Sequence, residues 1–135
     1  MRELKKYDEA IECYDEILKI YPTDADSLLN KGKCQSCLGK HNEAFQSYHE
    51  ALEIATDPYF VSDILNNIGV SFYALGDFEE ARKYYDNAIE VYANNARAWY
   101  NKSKAVSELG DEKGAQECLD KAKELGFHIE DLGRG

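Results

Sequence analysis

The residues able to do chemistry are few and scattered. Cys34 and Cys37 make a C-x-x-C, a spacing that holds zinc when a second pair or two histidines stand nearby. The other cysteines, Cys13 and Cys118, lie far away in sequence. A redox role would need a helix N-terminus to lower a thiol pKa, and this pair sits late in a predicted helix. Cys34 and Cys37 therefore read as small helix-filling residues. His41 falls in a predicted turn and His49 on a polar helical face; His128 is the third histidine. Nothing in the sequence places a serine, cysteine and carboxylate beside them to build a nucleophile and its base. Glu79-Glu80, Glu90, Asp8-Glu9 and Asp15-Glu16 read as solvated outer faces. Gly32, Gly39, Gly69 and Gly76 read as helix-contact or helix-end glycines, not as a phosphate loop. No catalytic, cofactor or metal site is expected, and an enzyme is the least favoured class.

Composition narrows the partners. The chain has 135 residues, 26 acidic and 16 basic side chains and a formal net charge of −10. Such a surface repels duplex nucleic acid and anionic membranes, so neither is an expected partner. No run of 18 apolar residues predicts a membrane span. MRELKKYDEA at the N-terminus lacks an apolar signal core. Four cysteines then read as reduced thiols in a cytoplasmic setting.

The elements that position these residues repeat. Ala10, Ala44, Ala81 and Ala115 stand 34, 37 and 34 apart, and Tyr14, Tyr48, Tyr85 and Leu119 follow each by four. Leu38-Gly39, Leu75-Gly76 and Leu109-Gly110 keep step. A period of this size means stacked supersecondary units, each burying its apolar face on a neighbour. Within residues 62–95, Leu65, Ile68, Gly69, Phe72 and Leu75 share one helical face. Gly76 ends that helix, and Asp77 with Glu80 opens the next as a capping box. Phe78, Ala81, Tyr85, Ala88 and Ile89 form the second face, and Asn94-Asn95 cap the following helix. Gly69 and Ala81 let paired backbones approach closely.

These residues resemble the tetratricopeptide repeat, whose 34-residue pattern they follow. Trp99, Ala115 and Leu119 carry it in residues 96–129; Leu65, Ile68-Gly69, Phe72, Ala81 and Tyr85 in 62–95; Leu28, Gly32, Ala44, Tyr48 and Ala51 in 25–58. Lys31 and Lys102 depart from the family's usual leucine, and Ser103 from its glycine. The expected fold is all-α: an α-solenoid of antiparallel helix pairs with seven helices, a half repeat followed by three full repeats. The expected units are 1–24, 25–61, 62–95 and 96–126, with a tail over 127–135, in a single domain.

The resemblance implies a non-enzymatic scaffold that binds a peptide or partner protein in a concave groove lined by the first helices. Carried onto this chain, the groove residues are Asn30, Lys33, Asn67, Val70, Tyr73, Arg97, Tyr100, Asn101 and Lys104. They recur on the face opposite the packing stripe. The lysines and Arg97 predict an acidic segment in the partner, with backbone contacts from Asn30, Asn67 and Asn101 and flat anchors from Tyr73 and Tyr100. Some members grip a C-terminal carboxylate with a lysine, arginine and asparagine clamp. Asn67 and Arg97 match two clamp positions, whereas Leu29, Lys33 and Asn101 do not match the other three, so that clamp is not expected.

Two irregularities add expectations. The chain opens on a second helix, leaving apolar surface near Tyr7 and Ile11. It is either an excerpt of a longer array, such as a regulatory segment of a larger protein, or an edge that pairs in a homodimer. The 37-residue step inserts three residues between Ile54 and Ser62. With Asp57 as N-cap and Pro58 at the first helical position, it is expected to lengthen a helix by about one turn. Tyr59 and Phe60 are then candidates for an aromatic knob toward a partner, with core packing the favoured reading for Phe60. At the other end, Phe127 and Ile129 are candidates to fold back on the stack.

Overall fold

A computed structural model describes residues 2–128. Ile129 lies outside the described residues. Among the described residues, seven helices follow in order: α1 (Arg2–Ile20), α2 (Ala25–Cys37), α3 (His41–Ile54), α4 (Pro58–Ala74), α5 (Phe78–Val91), α6 (Ala96–Glu108) and α7 (Glu112–Glu124). The architecture is an all-α solenoid of helix pairs, with no strand among the described residues. The helices fall into two compact units, α1–α3 and α4–α7.

The helix ends follow local chemistry. Gly76 takes φ +81°, a conformation that costs glycine little. The Asp77 N–H then donates to the Phe72 carbonyl at 3.0 Å and the Gly76 N–H to the Tyr73 carbonyl at 3.0 Å, satisfying carbonyls the helix leaves free. Asp77, Asn95 and Asp111 cap α5, α6 and α7 by accepting from the N–H groups of Glu80, Ala98 and Gly114. The Glu80 carboxylate pairs with Lys83 at 3.2 Å. The insertion is helical: α4 has 17 residues against 13 in α2 and in α6. It begins at Pro58, so residues 58–61 form its first turn.

One contact recurs at the centre of the pairs. A Cβ built on Gly69 would stand 2.5 Å from the Tyr85 ring, and one on Gly32 would stand 2.5 Å from the Tyr48 ring. Each tyrosine is 1% exposed. Glycine leaves the notch, and the ring from the facing helix fills it. In α6–α7 the register carries Ser103 and Leu119 instead.

A second register position accommodates three chemistries. Ser47 donates to Gln35 at 2.7 Å between α2 and α3. Phe72 and Tyr84 stack at 5.5 Å between α4 and α5. Val106 and Cys118 occupy the same places in α6 and α7, and both are buried. The Ser47–Gln35 pair satisfies its buried polar atoms, as close packing demands.

The two off-pattern lysines are held from the preceding helix. Lys31 of α2 meets Asp15 of α1 at 2.7 Å, and Lys102 of α6 meets Asp86 of α5 at 2.6 Å. On α1, Tyr7 and Ile11 are half-buried, not an open edge. The neighbouring Cys37 thiol raises the Tyr7 pKa. The exposed apolar residues of this region are Leu4, Ile17, Ile20 and Tyr21.

Candidate functional site

The α4–α7 unit brings part of the predicted groove together. Val70 and Tyr73 come from α4; Arg97, Tyr100, Asn101 and Lys104 come from α6, whose periodicity places 97, 100, 101 and 104 along one face. The Lys104 ammonium lies 5.0 Å from the Tyr73 ring centroid and 5.5 Å from that of Tyr100. Two aromatic faces therefore hold an exposed cation in place. Tyr73 is braced edge-on by Phe78 at 5.0 Å, and Tyr100 stacks on Phe127 at 4.7 Å. The latter contact shows Phe127 folded back onto α6. Burial raises the Tyr73 pKa, with Glu108 and Tyr100 adding to it, so Tyr73 stays a neutral hydroxyl.

The asparagines differ from the expectation. Asn101 is buried, at 9% exposure, and its amide donates to Asn66 Oδ1 at 2.9 Å. It joins α6 to α4 instead of offering that donor to a ligand. The Asn67 amide turns back on its own helix, donating to the Asp63 carbonyl at 2.8 Å. Asn30 is half-buried and Lys33 exposed, both on α2 in the other unit. Leu29 is core, at 4% exposure.

Beside Lys104 opens a cavity of about 370 Å³, walled by Tyr73 of α4, by Tyr100, Ser103, Lys104, Ser107 and Glu108 of α6, and by Glu112, Ala115, Gln116 and Leu119 of α7. Arg97 lines a different opening of about 310 Å³, with Tyr59, Asn94, Phe127 and His128 among its walls. Tyr59 is 58% exposed and edge-on to Tyr92 at 5.2 Å, while Phe60 is half-buried. The α7 wall of the first cavity was missed at the level of sequence. Its signal was present as two departures in register, Ser103 for glycine and Leu119 for tyrosine, which matter only when read as a pair.

Chemical groups remain dispersed. Among the described residues, no three histidine, cysteine, aspartate or glutamate side chains stand where they could hold a metal together. The four cysteines are free thiols. Burial, then Cys37, raises the Cys34 pKa, the opposite of what a reactive thiolate needs. Among the described residues, no helix is long and apolar enough to cross a membrane.

Tetratricopeptide repeat family models match residues 1–57, 62–95 and 96–125. The photosystem I assembly protein Ycf3 of Acaryochloris marina is 32% identical over 114 residues, covering 81% of this chain and 69% of that protein. The chain belongs to the tetratricopeptide repeat family. Solved structures show the same repeat fold. BtubC (BKLC) from P. vanneervenii matches with a TM-score of 0.78 at 24% identity, over 92% of this chain and 60% of that one. The first tetratricopeptide repeat domain of Spaghetti (RPAP3), solved bound to the HSP90 peptide SRMEEVD, matches with a TM-score of 0.72 at 22% identity, over 82% of this chain and 88% of that one. The fold is thus that of a protein-interaction scaffold. Of the clamp positions matched in sequence, Asn67 has its amide engaged by Asp63 and Arg97 is exposed.

Proposed function

We propose that this chain is a non-enzymatic module that binds a partner protein on the α4–α6 face, through a segment carrying acidic residues. One observation carries the reading: in a chain of net charge −10, Lys104 is held over two tyrosine rings at the mouth of an open cavity. A cation placed between aromatic faces has already given up side-chain freedom, so a carboxylate meeting it costs less ordering. Arg97 extends the basic face seven residues along α6. Among the described residues, neither base has a carboxylate within ion-pair distance, unlike Lys31 and Lys102. A photosystem I assembly protein and an HSP90-peptide binder among similar proteins support binding of proteins over catalysis. The four cysteines are not paired with one another, which is compatible with a reducing, cytoplasmic setting.

Pairing of two copies through Tyr7 and Ile11 has less support, because both are half-buried. Fluorescence anisotropy with labelled acidic peptides tests the main reading. Arg97→Glu with Lys104→Glu should weaken binding at least tenfold. No binding to the wild type, or equal binding to both, would reject it.

A further inference from the structure

The cavity beside Lys104 can be compared with the preceding helix pair, residue by residue. Subtracting the 34-residue step turns Ser103, Ser107, Ala115 and Leu119 into Gly69, Tyr73, Ala81 and Tyr85. In α4–α6 these earlier residues make a filled core: Tyr85 lies against Gly69, Ala81 and Ala105 are fully buried with it, and Tyr73 packs on the cluster. At the later position both tyrosines are gone. Ser107 replaces one and Leu119 the other, and Leu119 is only half-buried. The space two rings would help to fill remains open as about 370 Å³. That is far more than one water occupies and within the range of ligand-binding pockets.

We infer that this cavity receives one neutral aromatic side chain, tyrosine or phenylalanine, from the bound partner. This rests on the α4–α6 face being the partner-binding face. The walls suit a ring. Leu119 and Ala115 form an apolar floor, and Tyr73 and Tyr100 offer aromatic contacts of the offset or edge-on kind. Ser107 and the Gln116 carbonyl stand available to a phenol hydroxyl, since Ser107 already donates to Glu112 at 3.0 Å and the Gln116 amide donates to Asp120 at 2.9 Å. Charge selects a neutral group. Glu108 and Glu112 line the cavity beside Lys104, so an anionic ring would meet two carboxylates there and a neutral ring would not.

The test uses the whole chain and p-cresol, the tyrosine side chain as a free molecule. Titration into ¹⁵N-labelled protein should shift amides around Ser103, Ser107, Ala115 and Leu119, saturating at concentrations on the order of millimolar. The double variant Ser103→Gly, Leu119→Tyr rebuilds the notch and ring of the preceding pair and should weaken p-cresol at least tenfold. Should that variant fail to fold by circular dichroism, Gln116→Trp, on the exposed rim, carries the same expectation. An acidic peptide with one tyrosine should bind the wild type at least tenfold better than its alanine twin, and the filled variant should erase that difference. Absent shifts, shifts undiminished by filling, or no preference for the tyrosine peptide would overturn the inference. So would a wild-type dimer by light scattering that becomes monomeric on filling, since a second copy would then supply the ring. Failure of either acidic peptide to bind at all, with p-cresol still bound and displaced by filling, rejects the face reading and leaves the cavity's chemistry intact.

Discussion

The α4–α5 and α6–α7 hairpins share one register yet end differently inside. In the first, a glycine notch takes a tyrosine ring that reaches 1% exposure. In the second, serine faces leucine and the space between them opens to solvent. The backbone arrangement survives the change because small residues at Ala81 and Ala115 still let the helices approach. A repeat therefore separates two tasks. The alanine and the turn glycine recur in both hairpins, and the notch position is where the two hairpins differ.

The largest expected difference lies at the fourth residue after each alanine. Tyr85→Ala should cost about 3–5 kcal/mol, as for other buried aromatics. Leu119→Ala, at a half-buried site beside a cavity, should cost about 1–2 kcal/mol. Urea unfolding of the two variants measures both, and equal losses would break the comparison. The notch itself comes next. Gly69→Ala drives a Cβ to 2.5 Å from the Tyr85 ring and should cost about 1–3 kcal/mol through forced repacking. Ser103→Ala, with no ring opposite, should stay within about 1 kcal/mol of the parent.

Alkaline pH sharpens the same contrast. Burial raises the Tyr85 pKa well above its ordinary value, with Tyr73 adding to it. The folded state then keeps a proton that the unfolded state gives up near pH 10. Stability from this group is complete below that pH and falls as pH climbs from there toward the folded pKa. In urea titrations across the alkaline range, Tyr85→Phe should flatten the decline relative to the wild type. Leu119→Phe should leave its slope unchanged.

Much of this architecture was legible before any coordinates. The alanine and tyrosine spacing, the capping residues Asp77 and Asn95, and the turn glycines act locally, within one helix or one turn. The lengthened α4 was readable from Asp57-Pro58 for the same reason. The proposed binding face was less legible. Asn67 and Asn101 share a register, but their amides went to Asp63 and Asn66. Such polar residues at the edge of a packing stripe are decided by what stands one turn back or on the next helix. The α7 wall of the cavity escaped because it is defined by what is missing. Leu119 looks like an ordinary apolar residue until it is set beside Tyr85, and Ser103 looks like a tolerated departure until its facing ring is found absent.

The smallest effect concerns the lysines that replace leucine. Lys102 reaches Asp86 at 2.6 Å with 24% of its side chain exposed, and its ammonium lies 5.7 Å from the Trp99 ring. Asp86 is also held by Arg82 at 3.2 Å. Half-exposed pairs of this kind contribute roughly 0.2–1 kcal/mol. Lys102→Leu gives up that attraction but buries apolar atoms along the same stem, so the net change should fall within about 0.5 kcal/mol. Lys102→Glu has no such compensation and sets a like charge against Asp86. The difference between the glutamate and leucine variants should shrink as sodium chloride rises, because screening acts on the charge and not on the apolar contact. The same two substitutions at Lys31 should behave alike through Asp15. In the intervening repeat the register carries Ile68, at 0% exposure. An isoleucine accepted at the register of two lysines argues that buried apolar atoms are the shared requirement of this position, and that the charge is secondary.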